Sequence, residues 1–203
     1  VYASYGRPLK PIHSRVTVDG SANLTKTQNV IGGELLDLNR WSRMIGISIS
    51  NMNSKVLEYN LGGKWTFTDN YYTSDESLDQ NTLLHNYFIS VTLTAWKKWK
   101  LSGSYDYKLY TSDQFAENQS LPLMQLSLSR FILPGDKGQI KFSVFDVLDE
   151  NRGLSLTTNP NYIEEIRSNS IGRYAMLSFI YSLRGAGATP PGGAFKPWTG
   201  PRM

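Results

Sequence analysis

The chain has 203 residues, of which 40% are hydrophobic and only 19% are charged, and it contains no cysteine. The missing cysteines exclude disulfides, thiolate metal sites and a cysteine nucleophile, and the lack of any run of about 18 apolar residues excludes a transmembrane helix. The formal net charge is +4, but Arg184, Lys196 and Arg202 lie in a tail without acidic residues, so residues 1–183 carry 18 basic and 17 acidic residues. A net charge this small argues against a nucleic-acid partner, which would need a basic face.

Alternation of apolar and polar residues, the period of a half-buried β-strand, runs through most of the sequence. The chain opens with VYASYG and no initiator Met, so we expect a processed product or a fragment. Residues 1–12 read as the lower end of a strand and a proline-containing turn. About eight strands of roughly 9 to 13 residues follow, long enough for tilted bilayer crossings. They lie within residues 13–25, 41–50, 57–67, 86–94, 101–109, 123–131, 139–148 and 171–183.

Short and long connections alternate along the chain. Compact turns are predicted at residues 51–55, 96–99 and 133–138, and long polar loops at residues 26–39, 69–81, 112–120 and 149–170. Short turns on one side and long loops on the other are typical of outer-membrane barrels. The sequence therefore predicts an all-β, antiparallel, up-and-down transmembrane β-barrel segment over residues 1–184. A Gly/Pro-rich periplasmic tail follows over residues 185–203.

The two strand faces differ in a way that indicates which one meets lipid. One face carries Leu, Ile and Val with aromatic residues toward the strand ends, and the other carries mostly Ser, Gly, Thr and Asn. Lipid outside is therefore favoured over a large soluble barrel or sandwich, whose exterior would carry Lys, Glu and Asp. The small inward residues also predict a lumen wider than eight strands would enclose. In the last strand, we expect Leu177, Phe179, Tyr181 and Leu183 to face lipid, and Gly172, Ser178 and Ser182 to face the lumen.

Two further groups of residues follow from this assignment of faces. Aromatic side chains at the membrane interface are predicted to be Trp41, Trp65, Tyr87, Trp96, Trp99, Tyr107 and Tyr181. Lumen-facing residues that either select a solute or pair with a plug or with each other are predicted to be Glu58, Lys64, Asp106, Lys108, Lys141 and Tyr174.

Few residues in the sequence suggest catalysis or metal binding. His13 and His85 are far apart, and no Ser-His-Asp set is present, so we expect neither an enzyme nor a cofactor. Two oxygen-rich stretches, residues 75–79 and 146–151, are open to calcium binding, but lack the spacing of an EF-hand, and solvated loops are favoured. Strict alternation would aim Asp146 at lipid, so a bulge or the edge of the apolar band is expected there.

The C-terminal region resembles a known family. SVFDVLDEN (residues 143–151), the Tyr-Ile-Glu stretch at residues 162–164 and GRYAMLSFIYSL (residues 172–183) are similar to the last strands of Bacteroidota-type outer-membrane β-barrel proteins, relatives of TonB-dependent receptors. The resemblance implies a bacterial outer-membrane barrel of about 22 strands with a plug, of which this chain is the C-terminal third. It also implies contact with outer-membrane lipid and lipopolysaccharide, and a TonB-type energy-coupling protein or another envelope protein as partner.

Two functions are compatible with this interpretation. The first is solute uptake by a TonB-dependent-receptor-like transporter. The second is a structural or assembly barrel subunit of an outer-membrane complex, with the tail or the outer loops as its docking surface.

Overall fold

The computed structural model describes residues 1–31, 33–51, 54–73, 76–95, 98–113, 118–151, 154–158, 163–167 and 171–182. Trp96, Leu183 and the predicted tail lie outside these ranges. Three short 3-10 helices occur at Lys10–Ile12, Glu76–Leu78 and Pro134–Asp136. The strands are β1 (Tyr2–Leu9), β2 (Ser14–Ile31), β3 (Glu34–Asn51), β4 (Leu57–Tyr72), β5 (Gln80–Ala95), β6 (Trp99–Ser112), β7 (Gln119–Phe131), β8 (Gly138–Phe145), β9 (Leu154–Thr158), β10 (Ile163–Arg167) and β11 (Tyr174–Tyr181).

In the residues that the structure describes, no helix has the length and apolar character needed to cross a membrane.

Nine strands form one antiparallel sheet in the order β1-β2-β3-β4-β5-β6-β7-β8-β11, and β9 pairs with β10 in a separate hairpin. The all-β, up-and-down architecture is confirmed. Among the described residues the sheet has nine strands: the eight predicted between residues 13 and 183, and β1, which confirms the strand end predicted within residues 1–12 and pairs with β2 along its whole length. The described strands do not close into a barrel, since β1 and β11 form the two edges of the sheet and do not pair with each other.

The predicted long loop at residues 26–39 is wrong for most of its length, and the loops predicted at residues 69–81 and 112–120 are shorter than predicted, because the strands extend into them. β2 and β3 pair without a break as far as Ile31↔Glu34, β4 and β5 as far as Asn70↔Gln80, and β6 and β7 as far as Tyr110↔Gln119. At 18 residues each, β2 and β3 exceed the about 9 to 11 residues of a bilayer crossing. In a membrane barrel, their far ends are therefore expected to extend beyond the bilayer as a hairpin. The fourth loop, residues 149–170, contains the β9–β10 hairpin.

The pairing register assigns every residue of the sheet to one of two faces. The outer face carries large apolar side chains along each strand, such as Ile45, Ile47 and Ile49 on β3, whose partners on β2 and β4 are also mostly apolar. Many of these side chains are exposed, including Leu177 and Phe179 of β11 at 73% and 61%. The structure places Tyr181 on this face and Ser178 on the inner face, as predicted. Gly172 precedes β11 and lies outside the sheet.

The only buried apolar cluster of the described residues lies on the inner face, at the end of the long hairpins. It consists of Leu36, Leu38 and Tyr72, with Ile31 and Leu78 packed against it. The outer face at the same height carries Lys26, Gln28, Asp37 and Asn39 together with the exposed apolar pair Val30 and Leu35. Above Trp41, apolar side chains thus lie on both faces of the sheet, and those on the inner face are the buried ones. From Trp41 to Asn51, β3 covers about ten residues, or about 33 Å of strand. A strand tilted by about 40° from the membrane normal spans about 25 Å of membrane over this length, which is the height of a barrel's apolar band.

Two adjacent glycines in β4 allow aromatic rings to pack against both faces of the sheet. A Cβ atom on Gly62 would lie 2.8 Å from the Phe88 ring, on the inner face. A Cβ atom on Gly63 would lie 3.0 Å from the Trp65 ring and 3.3 Å from the Tyr87 ring, on the outer face. The missing side chains therefore make room for rings that cover the backbone.

Asp146 ends β8 and is not aimed at lipid. Its φ of 49° lies in the left-handed region, which turns the chain away from the sheet. Its buried carboxylate accepts hydrogen bonds from the backbone N–H of Glu150 at 3.2 Å and of Asn151 at 3.0 Å. The conflict with strict alternation is thus resolved by the end of the strand, and the carboxylate stabilises the turn that follows.

Replacing Ile89 with Arg tests the assignment of the two faces. Ile89 is the midpoint of the outer-face series from Leu83 to Ala95, so the substitution is expected to lower the free energy of unfolding by about 2 to 4 kcal/mol in a bilayer. The neighbouring S90R substitution on the inner face is the control and should change it by less than about 1 kcal/mol. Urea titration of tryptophan emission in phospholipid vesicles measures both. Equal losses for the two variants would contradict the assignment.

Replacing Asp146 with Ala removes the acceptor of two backbone hydrogen bonds and places Ala at a positive φ. We expect the free energy of unfolding to fall by about 1 to 3 kcal/mol. D146N keeps one acceptor oxygen and tolerates the left-handed region, so it should lose less than D146A in the same urea titration. A D146A variant as stable as the wild type would show that the carboxylate does not stabilise the turn.

Candidate functional site

The inner face of the sheet is the candidate site, and all six predicted lumen-facing residues lie on it. Lys64 pairs with Asn86, which pairs with Lys108 on the next strand. Glu58 pairs with Thr92, Lys141 with Ser129, and Tyr174 with Phe145. The structure therefore brings Lys64, Asp106 and Lys108 into one region and leaves Glu58, Lys141 and Tyr174 apart from it. Their role toward a solute stays a prediction.

One row of paired residues crosses the middle of the inner face and concentrates its charges. From β2 to β6 the row contains Asp19, Gly46, Lys64, Asn86 and Lys108. The Asn86 amide lies 3.3 Å from both carboxylate oxygens of Asp106 and donates to them. On the other side, Asp19 accepts hydrogen bonds from the Tyr2 hydroxyl at 3.1 Å and the Ser4 hydroxyl at 2.7 Å. Neutral donors thus satisfy both carboxylates.

The inner-face lysines and arginines, by contrast, have no acidic partner. Between the row of paired residues that contains Arg40 and the end of the sheet with the short turns, the described part of this face carries six cations and three carboxylates. None of the six forms an ion pair with any residue that the structure describes. The cations are Arg15, Arg40, Lys64, Lys100, Lys108 and Lys141, and the carboxylates are Asp19, Glu58 and Asp106. The inner wall is therefore a polar surface with an excess of positive charge.

Three of these cations were not among the predicted site residues. Arg15 and Lys100 stand at polar positions of the alternating pattern, which is the signal that identifies them. Arg40 precedes the predicted third strand and is placed on the inner face only because β3 begins at Glu34. Its position became clear from the strand pairing and not from any motif.

Arg40 lines a cavity of about 320 Å³ on the inner face of the β2–β3 hairpin. Its pairing partner on β4 is Asn70, which is fully buried and whose amide nitrogen and oxygen have no hydrogen-bond partner in the described residues. The cavity is otherwise lined by Asn23, Thr25, Thr27, Leu38 and Ser42. A guanidinium surrounded by hydroxyl and amide groups can bind a carboxylate or phosphate through paired hydrogen bonds.

A second cavity, of about 440 Å³, lies near the short-turn end of the sheet. Glu58 lines it together with Tyr59, whose hydroxyl is 2.5 Å from the hydroxyl of the buried Ser14. Tyr174 does not line either cavity, because its ring stacks on Phe145 with 4.6 Å between centroids.

The predicted interface aromatics that the structure describes all lie on the outer face. Trp65, Tyr87 and Tyr107 form a line across three strands, with 5.9 Å between the first two ring centroids and 6.4 Å between the last two. The Trp65 indole N–H donates to the Tyr87 hydroxyl at 3.3 Å. Near the short-turn end, the Arg130 guanidinium lies 5.1 Å from the Trp99 ring. Trp41 and Tyr181 also lie on this face. Their depth in a membrane stays a prediction.

Besides Arg7 and Arg130 near the short-turn end, the outer face carries one salt bridge among the described residues. Arg43 donates to the Asp69 carboxylate on the adjacent strand. Both residues lie near the polar end of the outer face, close to Trp41. The two side chains neutralise each other, as expected for charged residues beside an apolar band.

The oxygen-rich stretches do not form a metal site in the described residues, which contain no group of three or more acidic, His or Cys side chains placed to hold a metal ion. Asp79 accepts the Tyr72 N–H at 2.8 Å, and Asp149 accepts the Arg173 N–H at 2.9 Å and pairs with its guanidinium. Their carboxylates, like that of Asp146, organise the ends of strands. Asp75 lies outside the described residues.

Comparison with known proteins gives a family but no individual relative. A search of curated proteins and a search of solved structures each return no match. The sequence model of the Outer membrane protein beta-barrel family matches residues 11–181, which include nearly all of the nine-stranded sheet. The chain therefore belongs to the Outer membrane protein beta-barrel family, and its place is the bacterial outer membrane.

Proposed function

We propose that this chain forms part of the wall of an outer-membrane transporter of the TonB-dependent-receptor type, and that the transporter favours negatively charged solutes. The observation that carries the proposal is the excess of unpaired cations on the inner face. Six cations face three carboxylates there, and neutral side chains already satisfy two of the three, Asp19 and Asp106.

The physical argument concerns charges on the wall of a confined passage. Low-dielectric walls focus the field of fixed charges, which raises the local concentration of ions of the opposite sign. Rings of Lys or Arg accordingly favour anions and phosphates in pores. Arg40, Lys100, Lys108 and Lys141 are partly buried, and a wall used only for structure would gain by pairing them with carboxylates, because a partly buried unpaired charge is costly. The unpaired lysines and arginines therefore support a role toward a ligand.

Closure of the barrel and energy coupling are further parts of the proposal. An open sheet edge in lipid leaves backbone N–H and C=O groups unpaired, so further strands are proposed to pair with β1 and β11. The resemblance of residues 138–185 to the last strands of TonB-dependent-receptor relatives supports a plug and a TonB-type energy-coupling partner. Outer-membrane lipid and lipopolysaccharide are the proposed surroundings of the outer face. No catalytic role and no cofactor are proposed.

Deleting the gene tests uptake directly. The deletion strain is expected to leave in its medium a set of small solutes that the wild type depletes, and those solutes should carry net negative charge. Mass spectrometry of the spent medium measures the difference, and a protonophore should reproduce it because TonB-type uptake depends on the proton gradient. No depleted solute, together with copurification of other envelope proteins at fixed stoichiometry, would replace the proposal with a structural or assembly subunit.

A charge reversal at Lys64 tests the role of the inner wall. Lys64 is exposed on the inner face in the central row, so K64E should slow depletion of the anionic solutes by roughly twofold or more. K26E is the matched control, because Lys26 is equally exposed but lies on the outer face of the long hairpin. Both complemented strains are compared at equal surface level of the protein. An equal effect of K26E, or depletion of neutral or cationic solutes, would overturn the preference for anions.

A further inference from the structure

The cavity beside Arg40 differs from the rest of the inner wall. Of the six inner-face cations, Arg40 is the one that lines either of the two cavities described above. Its side chain is partly buried and forms no ion pair with a described residue. The other lining side chains come from alternate positions of β2 and β3, which pair along this length. Strand pairing therefore fixes the positions from which these side chains surround one unpaired guanidinium.

Buried amide groups without hydrogen-bond partners collect at the same end of the inner face. Among the described residues, five buried side-chain nitrogen or oxygen atoms lack a partner, and four of them belong to Asn29, Asn70 and Gln80. Asn70 is the neighbour of Arg40 on β4, and Gln80 is the neighbour of Asn70 on β5. Buried polar groups are almost always hydrogen-bonded in native proteins. The amides beside Arg40 are therefore available to a group that its guanidinium holds.

The apolar cluster of Leu36, Leu38 and Tyr72 lies directly beside the cavity. Leu38 is 1% exposed and lines the cavity, and Tyr72 is its pairing partner on β4. Apolar side chains on one side of a charge lower the local dielectric constant, which strengthens hydrogen bonds and ion pairs formed there. An anion that pairs with Arg40 is therefore held more strongly than it would be by a fully exposed arginine.

We propose that this cavity binds the carboxylate or phosphate group of a small, hydroxyl-bearing solute, with Arg40 as its anchor. A planar guanidinium donates two parallel hydrogen bonds to two oxygens of such a group. The other polar lining groups are three hydroxyls and one amide, which can exchange hydrogen bonds with the hydroxyls of the solute. A volume of about 320 Å³ lies at the lower limit of ligand sites, so the cavity fits a small solute or one end of a longer solute.

This site rests on the proposed preference for anions and gives it a location. The cavity lies at the long-hairpin end of the sheet, and the long connections of outer-membrane barrels are extracellular. A solute would therefore meet Arg40 before it meets the central row of the inner wall. Binding at Arg40 is measured on the purified protein and uptake is measured on cells, so the site and the transport function can fail separately.

Three probes that share their hydroxyl groups and differ in charge test the site. Glucuronate carries a carboxylate, glucose 6-phosphate carries a phosphate, and glucose carries neither. Saturation-transfer NMR measures the apparent affinity of each probe for the purified full-length protein in detergent. We expect at least one anionic probe to bind about tenfold or more tightly than glucose, since hydrogen bonds to charged groups are the stronger ones. The order of the two anionic probes identifies the group that the cavity prefers.

Two substitutions at Arg40 separate its charge from its shape. R40Q should lower the affinity for the preferred anionic probe by about tenfold or more, because it removes the charge-assisted hydrogen bonds. R40K keeps the charge but loses the planar pair of donors, so it should restore only part of the affinity. Full recovery in R40K would show that the charge alone attracts the probe and would overturn the role of paired hydrogen bonds.

A third variant blocks the site while Arg40 stays in place. N70D keeps the size of the asparagine side chain and puts a carboxylate next to Arg40, because the Cβ atoms of residues paired across antiparallel strands lie about 4.5 to 5.5 Å apart. The new carboxylate should pair with the guanidinium and lower the affinity for the anionic probe by about tenfold or more. Unchanged affinity in N70D would contradict a site shared by these two residues.

R7Q is the matched control, because Arg7 is exposed on the outer face and its removal should leave binding of the anionic probe unchanged. Equal losses in R7Q and R40Q, wild-type affinity in R40Q, or no preference of the wild type for either anionic probe over glucose would overturn the proposal. A loss in K64Q without one in R40Q would also overturn the site, but it would leave the general preference for anions intact. Heat-modifiable migration in gels confirms that each variant is folded.

Discussion

A peptide N–H or C=O group without a partner costs several kcal/mol in hydrocarbon, and the antiparallel ladder of this sheet meets that constraint everywhere between its two edges, β1 and β11. Because the ladder fixes the backbone, successive side chains of each strand point to opposite faces, and most residues on each face share one polarity. Isoleucine, leucine and valine occupy the outer face, and hydroxyls, amides and lysines occupy the inner one. The ladder also fixes which residues meet across strands. The row that contains Asp19, Lys64 and Lys108 is a product of backbone pairing, since no local motif joins residues so far apart in the chain.

The end of the β2–β3 hairpin above Trp41 differs from the rest of the sheet, because apolar side chains are buried there on the inner face. β3 continues for seven residues N-terminal to Trp41 with its pairing to β2 intact. Over this length Leu36 and Leu38 are buried on the inner face, where they pack with Tyr72 and are removed from water. Leu35 and its partner Val30 stay exposed on the outer face at 61% and 62%. The hairpin thus adds an inward-packed apolar cluster to a sheet whose apolar side chains otherwise lie mainly on the outer face.

Alternation predicted the strands and their faces wherever lipid imposes an apolar outer face, as for Ile45 to Ile49 or Leu177 to Tyr181. It failed for residues 26–39, because the apolar side chains of this stretch lie on both faces of the sheet and therefore show no single period-2 pattern. It also failed at Asp146, where a positive φ and two hydrogen bonds from backbone N–H groups end the strand. A period-2 pattern predicts neither a backbone dihedral angle nor such hydrogen bonds. The individual lysines of the inner wall were predictable, but their lack of acidic partners was not, because pairing across strands depends on register.

The carboxylates at the long-hairpin end differ in their environment from the cations of the inner wall. Asp79, Asp146 and Asp149 each accept at least one backbone N–H, and Asp69 pairs with Arg43. Peptide dipoles and arginines therefore offset part of this negative charge before a solute approaches. The inner-face cations have no such partners, so their field extends into the space that the sheet faces. In the proposed transporter, a negatively charged solute would therefore meet partly neutralised carboxylates at the long-hairpin end and, behind them, the excess positive charge of the inner wall.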